Sequence, residues 1–349
     1  VVMSLNALPL TDGVLSHTHQ SSGLLRIMSA SVALSIQHFS VQMHSNWMRG
    51  YLRKALATAS DESLSWAAHC FNWSDLEYRA PELIVSAGTE TLLVNAVLAR
   101  RYRSDNVFIG GQSGIRAEWF NAVLTLDQPI LSNAIPMVLP PSRLTPDIVD
   151  SACTAYRAQD TRRKGDCWAM ILGGNGGGCH YSDREWHALI DGMEYLAKTH
   201  NIKWLVVITR LTSEHVQQRL RQVLNASHLE SVITYGSGLD DPLLLLAARA
   251  QRIYCGAENL PILFDCIASG TPTLAILPER GKVNGQAQHL INQLRRDRLV
   301  SVLNIEELPF GRIVRTKSPL PDVLSRKYEE LFRQLCSYCP KLIAGVPRY

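Results

Sequence analysis

Residues 167–182 read CWAMILGGNGGGCHYS, and this stretch decides the fold that the sequence predicts. An apolar run over residues 168–172 is long enough for one buried strand. Five glycines and one asparagine follow at residues 173–178, and Ser182 with Glu185 then forms the capping-box pattern that begins a helix. A strand, a glycine-rich turn and a helix N-terminus together predict an anion site, because backbone N–H groups and the positive end of the helix dipole favour a phosphate.

The glycine turn matches neither of the two common phosphate-binding fingerprints. It is not G-x-G-x-x-G, and it is not a P-loop, because no Gly-Lys-Ser/Thr follows it. A mononucleotide ATPase is therefore disfavoured. The structural alternative is a flexible surface turn, but five glycines in six residues between a strand and a capped helix favour phosphate binding.

Length and composition are those of a soluble globular protein with two domains. The chain has 349 residues, more than one core usually organises, with 46% hydrophobic and 19% charged residues. The net charge of +4 suits an anionic substrate or a membrane surface, and no basic run alternates with aromatic residues, so we expect no nucleic-acid partner. Without an apolar span or a visible signal peptide, we expect a cytoplasmic protein, with peripheral contact at the inner face of the membrane.

The cysteines and acidic residues give no pattern that is typical of a metal site. Eight cysteines are scattered along the chain, and only Cys336 and Cys339 have CxxC spacing. Because no second pair accompanies them, reduced thiols fit better than a zinc site. No HxH, HExxH or DxD motif lies where a strand is predicted to end, so we expect no metal and no cofactor.

Strands alternate with helices in both halves of the chain, which indicates parallel sheets. Predicted strands cover residues 1–10, 32–41, 81–87, 107–109, 122–126, 168–172, 204–209, 231–234, 250–255 and 273–277. Predicted helices run from Gly23 onward and over residues 46–70, 92–101, 182–199, 213–225, 241–248, 260–269, 285–296 and 322–338. A polar loop is expected from Thr11 to Gln20.

These elements predict an α/β fold of two Rossmann-like domains that face each other across a cleft, a GT-B-like arrangement. We expect one domain over residues 1–150, a second over residues 151–320, and a C-terminal helix and tail over residues 321–349 that return toward the first domain. The proline-containing, polar region 140–165 is predicted to link the halves. Open parallel sheets bind ligands outside the carboxyl ends of their strands, so the cleft is the expected site.

A loop motif after the first predicted strand points to a family. It contains Asp12-Gly13, His17 and Gln20, and Gly23-Leu24 follows. This order resembles the pattern Asp-Gly-x-x-Gly-His-x-x-Gln of the mitochondrial-fission (elongated-mitochondria) family and its bacterial relatives, which are assigned to the GT-B glycosyltransferases. Ser16 stands where the family has glycine. The resemblance extends over residues 12–299.

Further motifs follow in the family's order. They are Val85-Ser86-Ala87-Gly88 with Thr91, Arg143-Leu144-Thr145-Pro146, Gly173-Gly174, Thr209-Arg210-Leu211-Thr212, Asp241-Pro242, and Glu258-Asn259 with Asp265 and Gly270-Thr271-Pro272. Two departures stand out: Leu211 replaces a second arginine, and Glu258 and Asp265 exchange the family's Asp and Glu. Each exchange moves a carboxylate by one methylene.

The resemblance implies a GT-B glycosyltransferase that moves a sugar from a nucleotide-sugar donor to a cell-envelope glycan or a lipid-linked acceptor, as in lipopolysaccharide or capsule synthesis. The first domain would hold the acceptor and the second the donor. An inverting transfer needs a general base for the acceptor hydroxyl and charge stabilisation for the departing diphosphate, and a GT-B site often provides both without a metal.

Specific residues take these roles in this interpretation. His17 is the candidate base, His19 is the second choice, and Asp12 either orients a histidine or is itself the base. The acceptor side would also include Gln20, Gly88 and Thr89. The donor side is the larger set: a phosphate cradle and its partners at Gly173, Gly174, Asn175, Gly176, Arg210 and Thr212, and hydrogen-bond acceptors for ribose or sugar hydroxyls at Glu258, Asn259 and Asp265.

Two other functions stay open. A nucleotide-sugar 2-epimerase on the same scaffold would need several acids and bases around one sugar, and the loop at Asp12 offers only part of that set. Eukaryotic members of the resembling family are adaptors that recruit a dynamin-related protein to mitochondria. A non-enzymatic adaptor of this type predicts a large exposed apolar patch and tolerance of changes at His17.

Overall fold

The computed structural model of the chain describes residues 4–41, 47–58, 60, 62, 80–159, 167–176, 179–236, 241–278, 285–309 and 320–346. The chain forms two compact units, one of residues 1–143 with residues 323–349 and one of residues 144–322. Each unit is built on a parallel sheet with helices, which confirms the predicted α/β fold class. Much of the predicted helix 46–70, with Cys70, and also Gly177 and Gly178 lie outside the described residues.

The described strands and helices follow each other in the order of an α/β protein. The strands are β1 (Leu5–Thr11), β2 (Leu34–Ile36), β3 (Phe39–Ser40), β4 (Leu83–Ala87), β5 (Asp105–Ile109), β6 (Ala122–Thr125), β7 (Ala134–Pro136), β8 (Cys167–Leu172), β9 (Lys203–Ile208), β10 (Leu229–Thr234), β11 (Ile253–Gly256), β12 (Thr273–Leu277) and β13 (Ser301–Asn304). The helices are α1 (Leu15–Ser29), α2 (Trp47–Thr58), α3 (Thr89–Tyr102), α4 (Pro146–Gln159), α5 (Asp183–His200), α6 (Glu214–Val223), α7 (Pro242–Arg249), α8 (Leu260–Ala268), α9 (Gly285–Arg296), α10 (Leu320–Tyr338) and α11 (Pro340–Ala344).

The sheet of the first unit has the strand order β2-β1-β4-β5-β6-β7, with β3 also paired to β1. Successive residues of a strand point to opposite faces, and both faces are covered here. Ile84 packs in a cluster with residues of α2 and α3. Leu83 and Val85 pack on the opposite face with residues of α1 and with Leu331 and Leu335 of α10. The C-terminal helix therefore completes the core of the first unit, as the fold class predicted.

The connection that leaves the first unit passes directly over α1. A Cβ atom at Gly23 would lie 2.4 to 2.6 Å from backbone atoms of Ser142, closer than any side chain allows. The absence of a side chain at Gly23 lets the two backbones touch. This contact explains the glycine of the Gly23-Leu24 motif as a packing requirement.

The sheet of the second unit has the strand order β10-β9-β8-β11-β12-β13. All six residues of β8 are buried, as expected for a central strand of a parallel sheet. β13 pairs in parallel with β12 at one edge. The sequence did not predict β13 because its four residues, SVLN, contain only two consecutive apolar side chains.

Two predicted loop regions are helical instead. The polar segment 11–20 was expected to be a loop, but α1 begins at Leu15. Thr18 donates a hydrogen bond to the carbonyl of Val14, and buried residues further along α1 supply the packing that polar residues in its first turns lack. The predicted link 140–165 contains α4, whose Val149 and Cys153 are buried one turn apart.

Asp105 fastens the end of the chain to the first sheet. Its Oδ2 accepts hydrogen bonds from the backbone N–H groups of Lys341 at 2.6 Å and Leu342 at 3.2 Å. Asp105 lies in β5 and is 5% exposed. These two N–H groups belong to the first turn of α11, where no helical partner exists for them.

We predict that Asp105→Ala lowers the free energy of unfolding by about 1–3 kcal/mol, because two buried N–H groups lose their acceptor. Urea unfolding followed by circular dichroism measures this change. Asp105→Asn keeps one acceptor oxygen and should lose less. An Asp105→Ala variant as stable as the wild type would contradict the anchoring role.

Candidate functional site

Both sheets have a topological switch point, where the chain changes the direction in which it adds strands. In the first unit, β2 lies on one side of β1 and β4 on the other; in the second unit, β9 lies on one side of β8 and β11 on the other. Ligands of open α/β sheets bind outside the carboxyl ends of the strands at such points. The predicted site residues Asp12 and Gly88 follow β1 and β4, and Gly173 and Glu258 follow β8 and β11.

A histidine–aspartate pair lies at the first switch point. Asp12 Oδ2 is 2.8 Å from His17 Nδ1, and the aspartate side chain is 5% exposed while the histidine side chain is 31% exposed. The other carboxylate oxygen of Asp12 accepts a hydrogen bond from the Val14 N–H. When Nδ1 carries the proton that Asp12 accepts, Nε2 of His17 is left as the basic nitrogen.

Gly88 makes room for the imidazole ring. Its φ is +86°, in the left-handed region, and a Cβ atom there would lie 2.3 Å from His17 Nδ1 and 3.0 Å from Asp12 Oδ2. Gly88 is the residue before α3, so its close approach brings the start of that helix against the pair. Thr89, in the first turn of α3, is exposed beside Gly88.

The other two residues predicted near His17 lie on the same helix. Gln20 follows His17 by three positions on α1 and is partly buried, so the two side chains lie on neighbouring positions of one face. His19 is fully buried. A base must reach the acceptor hydroxyl, so the burial of His19 favours His17 as the candidate.

The glycine turn of the second unit is held by a threonine. Thr212 Oγ1 lies 2.7 Å from the carbonyl oxygen of Leu172 and 2.8 Å from that of Gly173, and it accepts a hydrogen bond from the Thr209 N–H. A Cβ atom at Gly174 would lie 2.0 Å from the carbonyl oxygen of Leu211. The turn after β9 therefore packs directly against the turn after β8 and is hydrogen-bonded to it through Thr212.

The polar side chains of both turns have different environments. Thr212 is buried and its hydroxyl contacts the glycine turn, so it positions that turn; a direct contact with a donor stays a prediction. Arg210 is exposed and makes no hydrogen bond or ion pair with the described residues. Asn175 is exposed, and its Oδ1 accepts a hydrogen bond from the Tyr181 N–H at 2.8 Å. Gly176 exchanges backbone hydrogen bonds with Cys179.

Glu258 folds back over the ends of β8 and β11. A Cβ atom at Gly173 would lie 1.9 Å from Glu258 Oε1, and one at Gly256 would lie 2.3 and 2.4 Å from the two carboxylate oxygens. Tyr181 donates a hydrogen bond of 2.5 Å to Oε2, and the tyrosine ring stacks on Trp186 with ring centroids 4.4 Å apart. Within the described residues, the buried Oε1 has no hydrogen-bond partner.

The environment of Glu258 raises the pKa of its carboxyl group. Burial raises the pKa of the carboxyl above its ordinary value of 4.5, and the Tyr181 hydroxyl and the backbone N–H groups of Glu258 and Gly174 oppose that rise. Burial and the charge of Glu258 also raise the pKa of Tyr181, so the phenol stays a donor. Burial and Glu258 raise the pKa of Cys179 to about 11.

Asn259 and Asp265 belong to α8, which begins just after Glu258. Asn259 is the N-cap residue, and its side chain accepts from the Ile262 N–H at 3.5 Å. Asp265 lies on the second turn and is 4% exposed. The structure therefore brings Glu258, Asn259 and the glycine turn to one end of the sheet, with Asp265 buried behind them.

The N-terminus of α5 differs from the expectation of an open anion site. The predicted capping box is confirmed: Ser182 caps the Glu185 N–H, and Glu185 caps the Ser182 N–H. Asp183 and Glu185 also place negative charge in this first turn. A phosphate is disfavoured there, because the dipole is already neutralised and two N–H groups are occupied.

The sequence analysis missed Tyr181 and Gly256 as site residues. Nothing in the local sequence marks Tyr181 as a partner of Glu258, which lies 77 positions away. Gly256 ends a short strand, so a requirement for close approach was invisible. The one available signal was a tyrosine close to the glycine turn. When such a residue is buried, its hydroxyl needs a hydrogen-bond partner.

Two further properties concern the whole described part of the chain. No described group of three or more His, Cys, Asp or Glu side chains is placed to hold a metal ion, and no disulfide joins the described cysteines. None of the described helices combines the length and apolar character that crossing a membrane requires.

We predict that Gly174→Ala destabilises the protein by about 1–3 kcal/mol, because its Cβ meets the rigid backbone of Leu211. The matched control is Gly50→Ala in α2, where a Cβ meets nothing within 4 Å. That change should stabilise the helix by about 0.5–1 kcal/mol. Thermal and urea unfolding of both variants test the contrast, which fails if Gly174→Ala is as stable as Gly50→Ala.

We also predict a pH dependence that arises from Glu258. A carboxyl whose pKa is raised in the folded state stabilises that state most below its unfolded pKa, and this contribution is lost as the pH rises through the folded value. Relative to the wild type, Glu258→Gln should therefore gain stability as the pH increases from about 4.5. Urea unfolding over a pH series measures the difference, and a difference that does not change with pH would refute the shift.

Comparison with known proteins agrees with this architecture. A UDP-GlcNAc 2-epimerase from Neisseria meningitidis, solved with UDP-GlcNAc, aligns with a TM-score of 0.55 at 9% identity over 96% of this chain and 100% of that one. A Listeria monocytogenes protein assigned as a UDP-N-acetylglucosamine 2-epimerase aligns with a TM-score of 0.52 at 8% identity over 96% and 97% of the chains. At such identities the likeness concerns the fold alone.

A glycosyltransferase-fold structure with a lower TM-score, the curated proteins and the protein families were also compared with the chain. MurG from Acinetobacter baumannii is similar over 98% of this chain and 94% of its own, at 12% identity and a TM-score of 0.41 that carries no argument. Among curated proteins, none matches the sequence. The family described as Mitochondrial fission ELM1 matches residues 16–323, which is most of the chain. The chain therefore belongs to the mitochondrial fission ELM1 family.

Proposed function

We propose that this protein is an inverting, metal-independent glycosyltransferase that moves a sugar from a nucleotide-sugar donor to a hydroxyl of a cell-envelope glycan or lipid-linked acceptor. One observation carries the proposal. At the switch point of the second sheet, Glu258 presents a buried carboxylate oxygen that lacks a hydrogen-bond donor within the described residues. A buried acceptor without a donor is costly, and a ligand hydroxyl would satisfy it.

The donor is proposed to bind at the carboxyl end of the second sheet. Ribose or sugar hydroxyls would donate to Glu258, and the Asn259 amide, next along the chain, offers a further polar contact. The diphosphate would lie against the backbone of Gly173 to Gly176 and the N-terminus of α8, with the exposed guanidinium of Arg210 on the neighbouring turn. Because α5 begins with two carboxylates, we do not assign the phosphate to that helix.

The first unit is proposed to supply the base. Asp12 holds His17 through Nδ1, so that Nε2 accepts the proton of the acceptor hydroxyl. The hydroxyl oxygen then forms the new bond to the anomeric carbon as the bond to the donor phosphate breaks. The nucleoside diphosphate leaves with the electron pair of that bond, and the positive charge gained by His17 is stabilised by Asp12.

A second candidate function has one observation in its favour. Two solved structures that align with TM-scores above 0.5 are named as 2-epimerases, and one of them is bound to UDP-GlcNAc. An epimerase would change the sugar without an acceptor and without net release of nucleoside diphosphate. The adaptor function of the family needs neither a donor nor His17.

We predict that one class of nucleotide-sugar raises the melting temperature, because a ligand of the native state stabilises it by mass action. A thermal-shift screen with UDP, GDP, ADP, CMP and their common sugars identifies the donor. Glu258→Ala should abolish the shift, while the matched control Glu306→Ala, at an exposed glutamate of the same unit, and His17→Ala should retain it.

Turnover then separates the three functions. With the donor identified, release of nucleoside diphosphate is measured in the presence of an envelope lipid and glycan extract. His17→Ala should slow release by about 10²–10⁴-fold. Conversion of the donor to its 2-epimer without an acceptor would replace the transferase with the epimerase. Absence of any shift at millimolar nucleotide would overturn both enzymatic proposals.

A further inference from the structure

A cavity in the first unit lies apart from the proposed donor-side and acceptor-side residues. It has a volume of about 240 Å³ and is lined by Arg53 and Ala57 of α2 and by Gly114, Arg116 and Trp119 of the connection between β5 and β6. Arg53 and Ala57 are one turn apart, so they present one face of α2. None of the proposed donor-side or acceptor-side residues lines this cavity.

The cavity has the electrostatics of an anion site. Two guanidinium groups line it, and its five described lining residues include no carboxylate. Arg53 has no hydrogen bond or ion pair within the described residues. Arg116 has one distant partner, Glu118, at 3.8 Å, and both of these side chains are more than half exposed. Exposed pairs of this kind contribute little, so the described residues leave most of the charge of both arginines uncompensated.

Trp119 and Gly114 form part of the wall of the cavity. Trp119 is 8% exposed, and the guanidinium carbon of Arg116 lies 6.0 Å from the centre of its ring, at the outer limit of a cation–π contact. Gly114 has a φ of +73°, and a Cβ atom there would meet only Arg53 Nη2, at 3.9 Å. Gly114 therefore lies next to the end of the Arg53 side chain.

Two other arginines of the first unit, Arg49 and Arg100, already have partners in the protein. Arg49, one turn before Arg53 on α2, is paired with Glu90. Arg100 donates to the carbonyl oxygens of Leu56 and Glu118. Arg49 and Arg100 thus have partners in the protein. Within the described residues, Arg53 has none and Arg116 has only the distant carboxylate of Glu118.

We propose that this cavity binds a phosphoryl group, held between the guanidinium groups of Arg53 and Arg116 with Trp119 as an apolar wall. Guanidinium donors match the oxygen geometry of phosphate, and two of them converging on one space repel each other unless an anion lies between them. The group belongs either to a small phosphorylated molecule or to an anionic lipid head group. The proposal does not depend on the glycosyltransferase assignment.

Isothermal titration calorimetry with inorganic phosphate, pyrophosphate and glycerol 3-phosphate tests the first source. We expect saturable binding that weakens with added NaCl, because the contacts are ionic. Arg53→Gln and Arg116→Gln should each weaken binding by about tenfold or more, the effect of one lost charge-assisted contact.

Two controls keep the result specific. Arg101→Gln removes an equally exposed arginine of the same unit that does not line the cavity, and it should bind like the wild type. Binding that is lost in Arg53→Gln and Arg116→Gln belongs to this cavity and not to the glycine turn of the second unit, so failure of the donor proposal and failure of this one are distinguishable. Circular dichroism confirms that each variant is folded.

Sedimentation with vesicles tests the second source. If small phosphates do not bind, but vesicles of phosphatidylglycerol retain the protein through Arg53 and Arg116 while phosphatidylcholine vesicles do not, the phosphoryl group is that of a lipid. Equal binding by the wild type and both arginine variants, in either format, would overturn the proposal. So would the absence of binding in both.

Discussion

The Glu258 carboxylate occupies the space that Cβ atoms at Gly173 and Gly256 would need, and the end of the second sheet is arranged around this contact. The carboxylate can fold back here only because glycine follows β8, at Gly173, and ends β11, at Gly256. Tyr181 then holds one oxygen, and stacking on Trp186 fixes the tyrosine. The carboxylate is desolvated as a result, which both raises its pKa and leaves Oε1 as an acceptor that nothing in the described protein satisfies.

In the first unit, too, a glycine leaves room for a polar side chain of the candidate site. Gly88, in a left-handed conformation, lacks the side chain that would displace the His17 ring, and the ring can therefore reach Asp12. In both units a glycine after one strand admits a polar side chain that comes from beyond the neighbouring strand or its helix. Rigid backbone around a charged group keeps that group in place without a covalent constraint, which is how a binding site gains preorganisation.

Hydroxyl groups that fix backbone turns complete this arrangement. Thr212 contacts the carbonyl groups of Leu172 and Gly173, and Thr91 Oγ1 lies 3.0 Å from the carbonyl oxygens of Ala87 and Gly88. Each threonine belongs to a motif that the sequence marked as functional. Their contacts in the protein show how a motif residue can support a site by holding its backbone, without contact to a ligand.

The sequence by itself determined the fold class and most elements of the second unit, because strands buried on both faces are continuous apolar runs and helices between them carry clear caps. The box at Ser182 and the cap at Asp241 are examples, since both depend on residues three positions apart. It also selected Glu258, Gly173, His17 and Asp12 as candidates. Only the tertiary structure decided that Tyr181 and Gly256 lie against Glu258, that His19 is buried, and that Arg53 and Arg116 line one cavity. These pairs are distant in the chain, and no local pattern encodes a contact that forms only when separate strands and helices pack together.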